Sequence, residues 1–283
     1  METVTLPLPL TWLQPFDFPH KLGICERLFG KVLAQQGICW VDTAVGITWK
    51  LDLSLIPHRW IVYGKYEGAP FLNWARKFLP PNGVVVDSGA NIGQMLLYLA
   101  QWVPQGKVLA FEPGTQQIDW LKECLVAHPT LPVELIQRGL GASATQLRLD
   151  SWGSGSMHGC WARVSDTEGE PIEIVRLEDE LALRCIEKVD LWKLDVEGYE
   201  IAALQGAETW LKEQRIRAIY AELTSSNGQG QAVIDYLKQF GYQCYFFEEN
   251  GKLYDPLKQA DFQIPEWANG LFLPIDKNVN NEE

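Results

Sequence analysis

The 283-residue sequence has no two cysteines at the close spacing that zinc sites and redox motifs need. Its six cysteines lie far apart, which indicates free thiols in a reducing compartment. No run of about eighteen apolar residues is present, so we expect no membrane-spanning helix. The first twenty residues lack the basic region and the long apolar stretch of a secretory signal. These absences predict a cytoplasmic protein.

Basic residues are outnumbered by acidic ones, 24 against 36, and the formal net charge is −12. A surface with this average charge repels nucleic acid backbones and anionic lipid headgroups. We therefore expect no nucleic acid partner and no membrane partner held by charge. A hydrophobic fraction of 47% with 21% charged residues is the balance of an ordinary globular protein, so the chain should bury a core of its own.

Strand-like and helix-like segments alternate along most of the chain. Five apolar segments end in polar or small residues and are separated by helical patterns; they are VVVDSG (84–89), VLAFEP, VELIQRG, VDLWKLDVEG and IRAIYAEL. This alternation predicts an α/β fold with a mostly parallel sheet and helices on both faces. Ligands of such sheets bind at the carboxyl ends of the strands, where the polar residues of these segments lie.

Changes in pattern predict the boundaries of the domains. Residues 1–60 contain short β-type segments and glycine turns, which predict a small β-rich cap. Residues 61–275 carry the α/β alternation, which a glycine- and serine-rich insertion interrupts at about 142–178. We expect this insertion to lie over the strand ends, and the polar tail 276–283 to be disordered.

The first candidate site lies between the first parallel strand and its helix, in the segment DSGANIG. Gly89 would let the backbone turn tightly, and Gly93 would let the helix pack close to the sheet. In a dinucleotide fingerprint a glycine stands where this chain has Asp87. An acidic group there disfavours a pyrophosphate and suits a cationic ligand. A glycine turn is also common for structural reasons alone.

The second candidate is Glu112, which ends the next strand in AFEP. Its spacing is that expected for a carboxylate that accepts hydrogen bonds from both hydroxyls of a ribose. Capping of the following helix is the structural alternative. Together with DSGANIG, Glu112 indicates the binding of a nucleoside.

The third candidate is LWKLDVEGYE, where three carboxylates crowd together as a strand ends and a helix begins. Glu200 is explained by the dipole of the helix, which favours acidic residues in the first turn. Asp195 is different, because a carboxylate that closes a buried strand is costly unless it meets a partner or a cleft.

In this order and spacing, DSGANIG, AFEP and KLDVEGYEIAALQGAETWL resemble the FkbM-type family of S-adenosylmethionine-dependent methyltransferases. The resemblance runs from about residue 63 to the strand near residue 273, and IVRLEDEL also resembles a family segment. There Glu178 stands where the family has aspartate, so no role is assigned to it. The resemblance implies a Rossmann-like, seven-stranded methyltransferase sheet whose last strand is antiparallel.

The resemblance also implies the residues that hold the cofactor, S-adenosylmethionine. Those implied to hold its methionyl part are Asp87, Gly89, Asn91 and Gly93. Glu112 is implied for the ribose, and the segment Gly139, Leu140 and Gly141 for the surroundings of the adenine. Tyr66 and Glu67 match a tyrosine–glutamate pair leading into the pocket, while Asp195 and Glu197 would face the methyl group and the acceptor.

Methyl transfer from a sulfonium needs an aligned acceptor, and a hydroxyl acceptor must also lose a proton. Asp195 and Glu197 are candidates for the base, and His158 in the loop GSGSMHG is the third. A loop histidine is more often a plain surface residue. Acidic groups converging at strand ends could hold a divalent metal, but we predict no metal site.

The sequence therefore predicts an S-adenosylmethionine-dependent methyltransferase, most simply an O-methyltransferase acting on a secondary metabolite, a sugar or a glycan. An NAD-dependent oxidoreductase is the alternative enzyme, although it would need G-x-G-x-x-G after the first strand. A nucleoside-binding module without turnover is the alternative outside enzymes. The acceptor and the oligomeric state have no readable signal in the sequence.

Overall fold

The computed structural model of the chain describes residues 3–16, 18–64, 69–151, 162–165, 167–224, 228–248, 251–256 and 262–275. No helix in these ranges is both long enough and apolar enough to cross a lipid bilayer.

The N-terminal segment is a mixture of helices and one β-hairpin. Its elements are α1 (Leu8–Leu13), α2 (Lys21–Ala34), β1 (Ile38–Asp42), β2 (Thr48–Asp52) and α3 (Ile56–Tyr63). The two strands pair antiparallel, as the glycine turns predicted. Helices nevertheless outnumber strands, so the description of this segment as β-rich is wrong. The apolar residues of α2, Leu22, Cys25, Phe29 and Leu33, do recur at helical spacing, but Gly23 and Gly30 obscured the pattern.

The remaining elements follow the predicted α/β alternation. They are α4 (Ala69–Phe78), β3 (Val84–Ser88), α5 (Leu96–Trp102), β4 (Lys107–Phe111), α6 (Thr115–Val126), β5 (Val133–Ile136), β6 (Gly139–Leu140), β7 (Thr145–Ser151), β8 (Ala162–Ser165), β9 (Glu170–Val175), α7 (Leu177–Leu183), β10 (Leu191–Leu194), α8 (Glu200–Gln205), α9 (Glu208–Lys212), β11 (Ile219–Thr224), α10 (Gln229–Lys238), β12 (Tyr242–Phe247), β13 (Leu253–Tyr254) and β14 (Trp267–Pro274).

The central sheet has the strand order β13-β12-β14-β11-β10-β3-β4-β5 within the described residues. Strands β11, β10, β3, β4 and β5 are paired in parallel, and β14 runs antiparallel to both of its neighbours. The predicted α/β sheet with an antiparallel last strand is therefore present. Seven strands were expected, and β13 adds an eighth at one edge; its two residues are too few to show a periodicity in the sequence.

Apolar strands account for the core of the central sheet. Val85 and Val86 of β3 are fully buried on opposite faces, as expected for a parallel strand covered by helices on both sides. One apolar cluster fills the face under α8 and α10, and a second fills the face under α4 and α5. The carboxyl ends of β3, β4 and β10 are thereby held in fixed register at one edge of the sheet.

A second sheet has the order β6-β9-β7-β8. Strands β7, β8 and β9 come from the part of the chain predicted as an insertion, and β6 lies just before it. Strand β9 pairs antiparallel with β7 and parallel with β6, which directly follows β5 in the chain. Apolar side chains of this sheet face the carboxyl ends of the central strands. The second sheet thus forms a wall beside the ends of β3, β4 and β10.

A third apolar cluster joins the N-terminal segment to the rest of the molecule. Fully buried Trp49 and Leu51 of β2 belong to it together with Leu97 of α5. Trp120 of α6 donates a hydrogen bond from Nε1 to the backbone oxygen of Lys50 at 3.1 Å. The N-terminal segment therefore packs on the outer surface of α5 and α6.

Candidate active site

A cavity, called here the central cavity, lies between the carboxyl ends of the central strands and the second sheet. Its lining includes, from the sequence-predicted residues, Gly89, Asn91, Glu112, Gly139, Leu140, Asp195 and Glu197. These residues come from four separate segments of the chain. The sheet brings them together because its parallel strands all end at the same edge.

Gly89 forms the sharp turn that leaves β3. Its φ of +73° is in the left-handed region, and a Cβ at this position would collide with the carbonyl oxygen of Asp195. Its backbone N–H donates to the carbonyl oxygen of Phe111 at 2.9 Å. Glycine is therefore required both by the conformation of the turn and by the close approach of the segment after β10.

Glu112 lies at the end of β4 and is 6% exposed. One of its carboxylate oxygens accepts a hydrogen bond from the backbone N–H of Asn91 at 2.9 Å, and the other accepts from that of Gly114 at 3.0 Å. Burial raises the pKa of Glu112, and these two N–H donors partly offset that rise. Each oxygen keeps one lone pair, so Glu112 can still accept from two hydroxyl groups of a ligand.

Lys193 occupies the middle of β10 and is almost completely buried. Its ammonium lies 3.4 Å from a carboxylate oxygen of Asp87 and 3.3 Å from one of Asp195, and it donates to the carbonyl oxygen of Gly89 at 2.7 Å. Burial lowers the pKa of Lys193, but the two carboxylates more than compensate and raise it above its ordinary value. Lys193 therefore stays charged and joins the two strand ends.

Asp87 does not line the central cavity. It is 1% exposed, lies opposite Lys193 in the pairing of β3 with β10, and has no hydrogen bond to either carboxylate oxygen within the described residues. Burial raises its pKa, and the charge of Lys193 opposes that rise. The sequence led us to expect Asp87 beside a cation of the ligand. In the structure the cation beside Asp87 is Lys193.

The segment after β10 carries the acidic groups of the site. Asp195 is partly exposed to the cavity, and Glu197 follows at its rim with a left-handed φ of 52°. Loss of surrounding water is the largest factor that raises the pKa of Glu197, and the charges of Asp195 and Glu200 add to it, which brings the pKa to about 7. A carboxyl group with this pKa can exchange a proton near neutral pH.

Glu200 has a structural role in this turn. One of its carboxylate oxygens accepts hydrogen bonds from the backbone N–H groups of Val196 and Gly198, both at 3.1 Å. It is the first residue of α8, where an acidic side chain is also favoured by the helix dipole. Glu200 thus holds the turn that presents Asp195 and Glu197.

Glu222 near the end of β11 completes the acidic surroundings. Burial is the main factor that raises its pKa to about 9, followed by the charges of Asp195 and Glu197. Glu222 is therefore mostly protonated at neutral pH and adds little negative charge. No group of three or more His, Cys, Asp or Glu side chains in the described ranges is arranged to hold a metal ion.

Two predicted glycines serve packing instead of lining the cavity. Gly93 has a φ of +89°, and a Cβ there would lie 3.0 Å from a methyl carbon of Leu121. A Cβ on Gly141 would come within 3.1 Å of the ring of Tyr199. Three further predicted residues, Tyr66, Glu67 and His158, lie outside the described residues.

Sequence reasoning missed several residues of the central cavity. Lys193 was part of a recognised motif, but its charge within an apolar strand is the signal that should have marked it as functional, because a buried charge requires partners. Tyr199, which also lines the cavity, carried no comparable signal. The wall formed by Leu149, Val164, Ile172 and Ile174 could not have been found, since nothing in the sequence of the insertion states where its strands pack.

The chemistry of the lining fits S-adenosylmethionine. Three carboxylates, those of Glu112, Asp195 and Glu197, line the cavity with Lys193 as the basic residue, which suits a ligand that carries positive charge. The side-chain oxygen of Asn91 is buried without a hydrogen-bond partner among the described residues. Such an oxygen needs a donor, and an ammonium group is one.

Comparison with known proteins identifies the family. Residues 87–244, more than half of the chain, match the family model described as the methyltransferase FkbM domain. Methyltransferase 1 of Beauveria bassiana is 28% identical over 216 residues, which cover 68% of this chain and 82% of the relative. The 31-O-demethyl-FK506 methyltransferase FkbM of Streptomyces tacrolimicus is 30% identical over 196 residues, which cover 58% of this chain and 74% of the relative.

Among solved structures, the crystal structure titled as that of a putative rRNA-methylase from Clostridium thermocellum is 11% identical, with a TM-score of 0.47. The match covers 75% of this chain and 97% of that chain. The match to the family model decides against the NAD-dependent oxidoreductase that the sequence had left as an alternative. The chain belongs to the FkbM-type family of S-adenosylmethionine-dependent methyltransferases.

Proposed function

We propose that this methyltransferase transfers the methyl group to a hydroxyl group of a small molecule. The observation that carries the proposal is the pair of carboxylates, Asp195 and Glu197, in the lining of the central cavity. A hydroxyl acceptor must lose its proton as the new bond to carbon forms, and a carboxylate with a pKa near 7 is suited to accept it.

The residues that line the central cavity have complementary roles in holding the cofactor. Glu112 would accept from the two ribose hydroxyls, and Asn91 would accept from the ammonium of the methionyl part. Gly139 and Leu140 of β6 would lie against the adenine. When bound, S-adenosylmethionine supplies a methyl group that is activated by its positively charged sulfur.

Glu197 is proposed as the base and Asp195 as the group that orients the acceptor. Lys193 forms an ion pair with the carboxylate of Asp195 at 3.3 Å and so holds it in place. The acceptor hydroxyl would lose its proton to Glu197 as its oxygen takes the methyl group that bound S-adenosylmethionine would supply, while Asp195 would hold that hydroxyl in place. The second sheet excludes water from this space with apolar side chains, which strengthens the electrostatic interactions inside it.

The relatives support oxygen as the target atom. The Streptomyces tacrolimicus relative is named for a substrate that lacks a methyl group on oxygen.

We also propose the division of this chain into an N-terminal segment, residues 1–60, and a methyltransferase domain, residues 61–275. The second sheet belongs to that domain as its insertion.

The pH dependence of methyl transfer tests the role of Glu197. With a pKa of about 7, the ionised fraction of Glu197 rises from roughly a tenth at pH 6 to roughly nine tenths at pH 8. We therefore expect kcat/KM to increase through this range and to level off above it. Transfer of labelled methyl groups into a small-molecule extract, followed by mass spectrometry of the products, measures the rate and shows whether oxygen carries the new group.

Variants of Glu197 and Asp195 distinguish the proposed roles of these two carboxylates. Glu197→Gln should remove the rise with pH and lower kcat by about a hundredfold, a typical contribution of a general base. Asp195→Asn should abolish turnover while binding of S-adenosylhomocysteine stays measurable by calorimetry. Glu187→Gln, an exposed residue on another surface, is the matched control and should behave like the wild type. An unchanged pH profile in Glu197→Gln would exclude Glu197 as the base. Cofactor binding without transfer to any extract would favour the non-catalytic module.

A further inference from the structure

A second cavity, called here the outer cavity, lies between the N-terminal segment and helices α4 and α5. Gln14 and Thr43 line it from the N-terminal side, and Asn73 and Tyr98 line it from the helices. Gln94 lines both the outer cavity and the central cavity. The two cavities are therefore adjacent at one residue, which directly follows the turn at Gly93.

The position of Gln94 shows which end of the central cavity the outer cavity adjoins. The adenine side of the central cavity is proposed at β6, beyond the strands β4 and β5. Gln94 instead follows β3, which is separated from β5 by β4 and is paired on its other side with β10, the strand before the acidic turn. The outer cavity therefore adjoins the end at which methyl transfer is proposed, where the acceptor must enter.

None of the described side chains that line the outer cavity is acidic or basic. This differs from the central cavity, whose lining includes Glu112, Lys193, Asp195 and Glu197. Enclosing a charged group of a ligand among neutral side chains costs several kcal/mol unless a counter-charge is present. The described part of the lining therefore disfavours a charged occupant.

Three polar side chains face the outer cavity without hydrogen bonds to any other residue that the structure describes. Gln94, Asn73 and Tyr98 form none with any residue in the described ranges. Burial raises the pKa of the Tyr98 hydroxyl, so it remains neutral. Two amides and a phenol offer both donors and acceptors, and a hydroxyl group uses both.

The opposite wall is held rigid by Gln14. Its amide nitrogen donates to the carbonyl oxygen of Val62 at 2.8 Å, and its amide oxygen accepts from the backbone N–H of Ala44 at 3.0 Å. Gln14 is 5% exposed, so these bonds are shielded from water. Because this wall is already ordered, little conformational entropy is lost there when a ligand binds.

From these observations we propose that the outer cavity is the subsite for the body of the methyl acceptor, and that it selects an uncharged molecule bearing hydroxyl groups. The inference rests on the proposed function, because it presumes a small hydroxyl-bearing acceptor. To the proposed function it adds a location for the body of the acceptor, the expectation that the acceptor is uncharged, and three polar contacts. It also gives the N-terminal segment a role in choosing the acceptor.

The charge of the acceptor is the first test. A small-molecule extract of the cells that naturally express the chain is separated by ion exchange into neutral, anionic and cationic pools, and each is incubated with the enzyme and labelled S-adenosylmethionine. We expect at least tenfold more label in the neutral pool than in either charged pool. Label mainly in a charged pool would overturn the subsite and leave O-methylation standing. Absence of label from every pool would contradict the proposed function itself.

Filling the cavity is the second test. Asn73→Trp places a bulky side chain in it from an exposed position of α4, and Lys77→Trp makes the same change one turn along the helix, outside the lining. We expect Asn73→Trp to raise the KM for the methylated neutral pool at least tenfold. The dissociation constant of S-adenosylhomocysteine should stay within twofold, and Lys77→Trp should match the wild type.

Tyr98→Phe keeps the ring and removes only the hydroxyl, so it tests the polar contact with little risk to folding. Its KM should rise about three- to tenfold, whereas Tyr236→Phe, on α10 and in neither cavity, should have no effect. Unchanged KM in both Asn73→Trp and Tyr98→Phe would overturn the subsite.

Discussion

A lysine in the middle of a strand that is covered on both faces needs compensating charge, and Lys193 has two carboxylates within 3.4 Å. It lies directly opposite Asp87 in the pairing of β10 with β3, and two residues before Asp195, which follows β10. The side chain of Lys193 therefore connects the buried carboxylate of Asp87 to the carboxylate of Asp195, which lines the cavity.

Removal of this charge should harm both stability and activity. Lys193→Met would leave Asp87 buried without a counter-ion, and breaking a buried pair costs about 3 to 5 kcal/mol. We expect a loss of that order in the free energy of unfolding, measured with urea, and at least a hundredfold loss of kcat. Lys122→Met is the control, because that lysine pairs with Asp119 on the open surface of α6 and should cost less than about 1 kcal/mol. Equal effects of the two changes would contradict the importance of Lys193.

The turns after β3 and β10 are in direct contact with each other. The carbonyl oxygen of Asp195 occupies the space where a side chain on Gly89 would begin, and the ammonium of Lys193 donates to the carbonyl oxygen of Gly89. The two turns therefore cannot shift independently. Their contact explains why a left-handed glycine is needed there, apart from any contact with a ligand.

Gly46 and Gly89 have similar positive φ angles, but only Gly89 is closely packed. Alanine at the two positions therefore separates the cost of a steric collision from the cost of backbone strain. Gly46→Ala, in the hairpin of the N-terminal segment, adds a side chain at a φ of +77° into open space and should cost about 1 to 2 kcal/mol. Gly89→Ala adds the same strain and also a collision with Asp195. We expect it to cost clearly more in urea unfolding, and to weaken binding of S-adenosylhomocysteine at least tenfold. Similar stabilities of the two variants would show that the turns can separate easily.

The N-terminal segment and the α/β domain share one apolar cluster. Trp49 and Leu97 belong to it from opposite sides, and hydrogen bonds from Trp120 and Gln101 reach the backbone of the hairpin. Regions that bury a common core unfold together. We therefore expect that the boundary near residue 60, which the change of pattern in the sequence predicts, is not a boundary of independent folding.

Unfolding of the whole chain tests this statement. We expect a single cooperative transition in urea, with the same midpoint by fluorescence and by far-ultraviolet circular dichroism. Trp49→Ala should lower that midpoint for the whole molecule, with a loss of roughly 3 to 5 kcal/mol. Trp12→Ala, which removes a side chain that is 72% exposed, should change stability by less than about 0.5 kcal/mol. Two separate transitions, with only one of them moved by Trp49→Ala, would argue for an independent N-terminal domain.

The class of fold, the family and the segments that meet at the site were predictable from the sequence, because these follow from local patterns. Buried parallel strands require continuous apolar runs, and turns at strand ends require glycines and polar residues, so VVVDSG and LWKLDVEG were recognisable. The direction of the last strand was also predicted correctly. The helix α2 was missed because two glycines weakened a short periodicity.

The contacts of each side chain became known from the folded structure alone. Asp87 and Asp195 both end buried strands, yet one lies beneath the cavity and the other faces it, because Lys193 is positioned between them by the pairing of β10 with β3. The raised pKa of Glu197 likewise comes from lost hydration and from charges on neighbouring segments. Such properties depend on distances between residues that are far apart in the chain, and a linear pattern does not contain those distances.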